Sequence, residues 1–189
     1  MSTDDRRRWD AKYAGRSVPA QLAPDEWLVE NVLSLPPGRA LDLACGIGHN
    51  AVWLARRGWT VDAVDISPAG LRLAAGLAGR NKTSVNWIAA DLDAFTPAAG
   101  ACDLVLVFRF LDRVRLPRLI ESALAAGGLL IYETFTTAHL ARPDSHLKNP
   151  AYALGPRELP RLFPGLKLVR YREEALDDRS VARFVGRAG

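Results

Sequence analysis

Residues 40–51, Ala-Leu-Asp-Leu-Ala-Cys-Gly-Ile-Gly-His-Asn-Ala, bring together groups that can do chemistry: a carboxylate, Asp42, within a short apolar run, and two glycines, Gly46 and Gly48, where that run stops. Residues 40–45 read as a buried parallel strand. Glycine lets the chain turn sharply and approach a ligand closely, and the helical pattern from Asn50 to Arg57 then aims its first amides at that ligand. The next apolar run, Val61, Ala63 and Val64, ends at Asp65, 65 − 46 = 19 residues after the first glycine. At that spacing a second strand delivers a carboxylate to a ribose diol. Gly46-x-Gly48-x-x-Ala51 also satisfies a dinucleotide fingerprint, so nicotinamide binding has to be weighed as well.

Asp42 tips that weighing. A pyrophosphate would be repelled by an acid at the end of the first strand, whereas a ligand carrying an ammonium and a sulfonium would be drawn to it. S-adenosyl-L-methionine is such a ligand, with a ribose for Asp65 and an adenine for Asp91 and Leu92 after the third strand. Leu41-Asp-Leu-Ala-Cys-Gly-Ile-Gly48 resembles the D-L-G-C-G-x-G first motif of class I S-adenosylmethionine-dependent methyltransferases. Ala44 departs from that motif, and because alanine disfavours positive φ, it is expected to stay extended. Trp9-Asp-Ala-Lys-Tyr13 is similar to a W-D-x-x-Y segment that folds over the cofactor in many of these enzymes; a helix packed on the sheet edge is the plainer reading.

The resemblance implies a doubly wound, Rossmann-like α/β fold with a seven-stranded sheet, mostly parallel and closed by a C-terminal antiparallel hairpin. It also implies a cofactor site of Tyr13, Asp42, Ala44, Gly46, Gly48, Asn50, Asp65, Ile66, Asp91, Leu92 and Phe108. Tyr132-Glu-Thr-Phe135 and Asn149-Pro-Ala-Tyr-Ala-Leu-Gly-Pro-Arg-Glu-Leu159 resemble a small-molecule subgroup akin to the bacterial tellurite-resistance methyltransferases, which implies a thiol or chalcogen acceptor. Asp65 ahead of Ser67-Pro68, and Asp91, could each do no more than cap a helix.

The elements that position these residues alternate. A helix starts near Pro24 and stops at Pro36-Pro37-Gly38. Ser67-Pro68 begins another, Val85–Ala89 is a third strand, and Cys102–Phe108 a fourth, apolar along most of its length. A helix from about Pro117 to Ala125 leads through Gly127-Gly128 to a fifth strand at Leu129–Glu133, and residues 166–172 and 181–185 pair as the hairpin. The chain is expected to be one domain, 1–189, with residues 1–37 a helical cap. Residues 134–155 hold no clear period and are expected to form a lid over the acceptor.

Methyl transfer requires in-line positioning and exclusion of water more than covalent help from the protein. Residues after the fourth and fifth strands should face the methyl group, so Arg109, Glu133 and His139 are the candidates for acceptor contact, Arg109 suiting an anion. Arg109 could equally pair with Asp112. The lack of an [N/D]-P-P-[Y/F] tetrapeptide disfavours exocyclic base amines, and His139 and His146 lack metal-ligand spacing, so no metal is expected. Hydrophobic residues make 49% and charged ones 24%, as in ordinary globular proteins, and two cysteines cannot build a disulfide framework. The N-terminal residues lack the apolar core of a secretory signal, so a cytoplasmic protein without a membrane anchor is expected. A net charge of +4 permits RNA, but the arginines form no aromatic-interleaved patch, so a small-molecule partner is favoured over an RNA-binding module.

Overall fold

The computed structural model describes residues 3–189. Seven strands form one mixed sheet, the class I methyltransferase fold expected from the sequence. Residues up to Thr96 and from Pro97 onward form two compact units.

The first unit holds α1 (Thr3–Tyr13), α2 (Glu26–Val32), β1 (Arg39–Leu43), α3 (His49–Ala55), β2 (Thr60–Asp65), α4 (Pro68–Arg80) and β3 (Asn86–Ala89). β1 pairs with β2 and β2 with β3, all parallel, and Ala40 to Leu43 are buried on both faces, as a central parallel strand requires. α4 starts where the sequence places it: Pro68 sits in the first turn and the Ser67 hydroxyl accepts from Gly70 N–H at 3.1 Å. Its buried face meets α3, where Val52, Leu77 and Ala78 form a core cluster covered by Val18, Leu22 and Trp87.

The second unit holds β4 (Cys102–Phe108), α5 (Arg115–Ala123), β5 (Leu124–Phe135), α6 (Thr137–Leu140), a 3-10 turn at Pro150–Tyr152, α7 (Glu158–Arg161), β6 (Lys167–Ala175) and β7 (Ser180–Arg187). β5 runs parallel to β4 and antiparallel to β7, so Glu133 stands beside Phe108 on one side and Arg183 on the other. The core here is aromatic: Phe163 meets Tyr132 edge-on at 5.9 Å and stacks on Phe184 at 5.7 Å.

Two boundaries differ from the expectation. α5 begins at Arg115 rather than Pro117, because Asp112 Oδ1 accepts from the N–H groups of both Val114 and Arg115 at 2.8 Å and so starts the helix earlier. The same contacts commit one oxygen of the acid that the sequence offers to Arg109. β5 begins at Leu124 and runs through Gly127, whose φ of +75° gives the strand a bend that a side chain would resist.

Residues 134–155 are more ordered than an aperiodic loop. The segment leaves β5 and enters α6, and it is tied back on itself by Thr137 N–H to Leu154 O and Leu154 N–H to Phe135 O, both 2.9 Å. The Arg142 guanidinium reaches the Leu176 and Asp177 carbonyls in the β6–β7 turn. Among the described residues, no helix is long and apolar enough to cross a membrane.

Candidate active site

In the first unit the carboxyl ends of β1 and β2 deliver two buried acids to one glycine-rich turn. Asp42 is 2% exposed and Asp65 7%. Gly46 N–H donates to Asp65 Oδ2 at 2.7 Å and Ser67 N–H to Asp65 Oδ1 at 2.8 Å. Burial raises the Asp65 carboxyl above the ordinary aspartate range, while the Ser67 and Gly46 amides pull it back. A carboxylate oxygen has more than one lone pair, so Asp65 has acceptor capacity beyond the Gly46 and Ser67 amides. Burial first, then the charges of Asp42 and Asp65, push the Cys45 thiol well up and so disfavour its reactive thiolate form.

Tyr13 places α1 over this turn. A Cβ on Gly46 would stand 2.9 Å from the Tyr13 hydroxyl, and one on Gly70 would lie 3.0 Å from the edge of its ring. The helix is anchored by the acid of the same motif: Asp10 Oδ1 accepts from Ser67 Oγ at 2.5 Å and Ala69 N–H at 3.0 Å. The Ser67 hydroxyl and then the Ala69 amide hold the Asp10 carboxyl below its usual range. α1 thus packs against α4 and sets a tyrosine against the glycine turn.

One expectation is corrected, and three residues of the candidate site are engaged by the protein itself. Ala44 is not extended; its φ is +55°, so the chain takes the left-handed turn that the motif's glycine would take, at a cost of roughly 1–2 kcal/mol for an L residue. Asn50 is committed to Asp25 at the start of α2, accepting from its N–H and donating to its carboxylate, both at 2.9 Å. Gly48 is required by protein packing, since a Cβ there would lie 2.6 Å from the Trp87 ring and 2.8 Å from Ala74. Glu133 does not present a free carboxylate to an acceptor. It is fully buried, with Oε2 accepting from Arg183 Nε at 2.7 Å and Oε1 from Arg179 Nε at 3.1 Å, because β5–β7 pairing sets Arg183 directly opposite.

Asp91 Oδ1 accepts from Asp93 N–H at 2.9 Å in a tight turn after β3, and both Leu92, the next residue, and Ile66, after β2, are buried. In the second unit Phe108 is buried at the end of β4, and Arg109 follows, exposed, with φ of +57° and its N–H on Glu133 O at 2.8 Å. A non-glycine residue in the left-handed region at the end of a strand is a strained feature of the kind found at functional sites. His139 is 1% exposed, stacked on Phe135 at 4.4 Å, with His146 edge-on at 5.7 Å. Its Nδ1 accepts from Ser180 N–H at 3.3 Å, which puts the proton of the neutral ring on Nε2. Burial, then His146 and Arg142, lower its pKa. Among the described residues, no group of three metal-ligating side chains occurs.

Sequence reasoning missed Asp10, Asp25, Arg113 and Glu158. Asp10 lies in the motif already singled out, and the serine-proline pair it reaches was the signal that a helix start needed capping.

A family described as a methyltransferase domain matches residues 40–128, from β1 into β5. Ribosomal RNA small subunit methyltransferase C of Alcanivorax borkumensis is 37% identical over 70 residues, 37% of this chain and 21% of that protein. Ubiquinone biosynthesis O-methyltransferase of Coxiella burnetii is 28% identical over 127 residues, 64% of this chain and 54% of that one. The chain spans about half or less of the length of these curated relatives. Among solved structures, N-methyltransferase NodS of Bradyrhizobium japonicum with S-adenosyl-L-homocysteine superposes with a TM-score of 0.73 at 18% identity, covering 97% of both chains. TehB of Haemophilus influenzae gives 0.72 at 18% identity, covering 89% of this chain and 64% of that one.

Proposed function

We propose that this chain is a class I S-adenosylmethionine-dependent methyltransferase, with S-adenosyl-L-methionine as its cofactor, and that it transfers a methyl group to a small-molecule acceptor, a thiol or another chalcogen species. The observation that carries the reading is the pair of buried acids, Asp42 and Asp65, at one glycine turn covered by Tyr13. That donor set suits a cationic nucleoside and repels a pyrophosphate.

When bound, the cofactor supplies a methyl group on a sulfonium, already a good leaving group. The roles assigned to the chain are binding and exclusion of water. Asp65 takes the ribose hydroxyls, Asp42 faces the cationic end, and Asp91 with Leu92 borders the adenine. Tyr13 closes over Gly46. Arg109 and His139 are the candidates for acceptor contact, Arg109 as an anion partner and His139 as a neutral donor through Nε2. The chain's part in such a transfer would be to hold the acceptor in line with the methyl group and to exclude water, and a thiol acceptor would give up its proton. The ubiquinone biosynthesis O-methyltransferase among the relatives is on the side of a small-molecule acceptor.

Calorimetry with S-adenosyl-L-homocysteine and NADH, followed by a screen of small thiols and selenols, tests the reading. Binding of NADH alone would end it. The ribosomal RNA methyltransferase relative and the net charge of +4 are the observations on the side of an RNA-holding module without turnover. RNA retention falling steeply with salt, and no methylation of any small acceptor, would favour that alternative.

A further inference from the structure

Within the second unit, one side chain fastens the loop after β4 to the segment before α7. Arg113 donates through Nε to Glu158 Oε1 at 2.5 Å and through Nη2 to Oε2 at 3.2 Å. Its Nη1 also reaches the Ala151 carbonyl at 2.6 Å, and Nη2 the Ala153 carbonyl at 2.7 Å. Glu158 Oε2 in turn accepts from Gly155 N–H at 2.7 Å, and the Tyr132 hydroxyl pins the other end of the loop by donating to Phe110 O at 2.9 Å. The guanidinium thus holds two backbone carbonyls and a carboxylate at once, which its planar fork allows and a lysine ammonium cannot reproduce.

What the fork joins is informative. It ties two loops, while the aromatic core of Tyr132, Phe163 and Phe184 packs without it. The loops it ties are those that follow β4 and β5 at their carboxyl ends, where ligands of open α/β sheets bind. Two of the few exposed large apolar side chains among the described residues, Val114 and Tyr152, flank the fastening, one beside Arg113 and one between the two carbonyls it holds. An exposed ion pair alone contributes little. Here both partners are more than half buried, at 35% and 24% exposure, and four hydrogen bonds converge on one group.

We propose that Arg113, with Glu158, is a positioning residue for methyl transfer: it sets the 151–155 turn and Tyr152 against the Phe110–Asp112 loop and thereby fixes the acceptor's binding surface. This rests on the methyl-transfer reading above. The pair acts on acceptor affinity, and the cofactor cradle of the first unit does not depend on it.

The test uses the full chain carrying Arg113→Lys or Glu158→Gln. Amide hydrogen exchange at residues 151–155 should quicken at least about tenfold in both variants while β4 and β5 keep their protection. For whichever thiol or selenol the unaltered chain methylates, the acceptor KM should rise about tenfold, with kcat and the Kd for S-adenosyl-L-homocysteine within about twofold. Unchanged exchange, full rescue by lysine, or a parallel loss of cofactor affinity overturns the proposal. A chain that methylates no acceptor ends the methyl-transfer reading and the positioning role with it, and faster exchange in the variants would then still establish the fastening itself.

Discussion

The amide of Gly46 donates to Oδ2 of Asp65 at 2.7 Å, so the first glycine of the turn and the acid ending β2 are one hydrogen-bonded unit before any ligand arrives. Asp65→Ala removes both the ribose acceptor and the partner of two amides. Affinity for S-adenosyl-L-homocysteine, measured by calorimetry, should fall at least about tenfold, or about 1.4 kcal/mol. Unchanged affinity would reduce Asp65 to a turn-former.

The same acid gives a pH dependence. Because burial raises its folded pKa above the ordinary 3.8, Asp65 protonates at a higher pH than a free aspartate and then loses its charge-assisted acceptance. Cofactor affinity should therefore decline on acidification before the ordinary aspartate range is reached, and Asp65→Asn should flatten that decline.

Asp10→Ala removes the acceptor for Ser67 Oγ and Ala69 N–H at the start of α4. The loss should be about 1 kcal/mol by chemical denaturation, with faster exchange of α1 amides. Since the folded pKa of Asp10 is depressed, its contribution is present above the unfolded value and disappears as pH falls through the folded one.

Glu133→Ala should cost about 3–5 kcal/mol, because it leaves the buried Arg183 in the β5–β7 pairing without the carboxylate opposite it. Thermal unfolding reads this directly. A variant as stable as the original but unable to turn over would restore Glu133 to the reacting groups.

His139 should make the fold acid-sensitive. Its pKa is lowered from 6.5, so protons bind the unfolded chain more strongly, and stability falls as pH drops below 6.5 toward the folded value. The groups around it are Phe135, His146, Arg142, Asp144, Asp178 and the Ser180 amide. Denaturant unfolding at pH 7.5 and 5.5 should show a smaller drop for His139→Gln; an equal drop would place the sensitivity elsewhere.

The sheet, the cradle and the acid at its second strand were legible because they rest on local rules: apolar runs of strand length, glycines at a turn, and a fixed spacing between strand ends. Ala44 was misread by the same logic, since neighbouring hydrogen bonds from Cys45 N–H to Val64 O and Gly48 N–H to Cys45 O fix the turn whatever residue occupies it. What escaped was set by distance along the chain. Glu133 meets its arginines 46 and 50 positions away, and Arg113 meets Glu158 after 45. Composition and period carry no record of such pairings.

The docking of α1 has a kinetic consequence. The helix contributes few apolar residues, and the Asp10 carboxylate and the Tyr13 ring are among its contacts with α4 and the residue that caps it. Segments held in that way open far more often than the sheet beneath them. If Tyr13 covers the nucleoside, the rate of that opening limits how quickly spent cofactor departs. Changes to α1 would then alter residence time before they alter the chemistry of transfer.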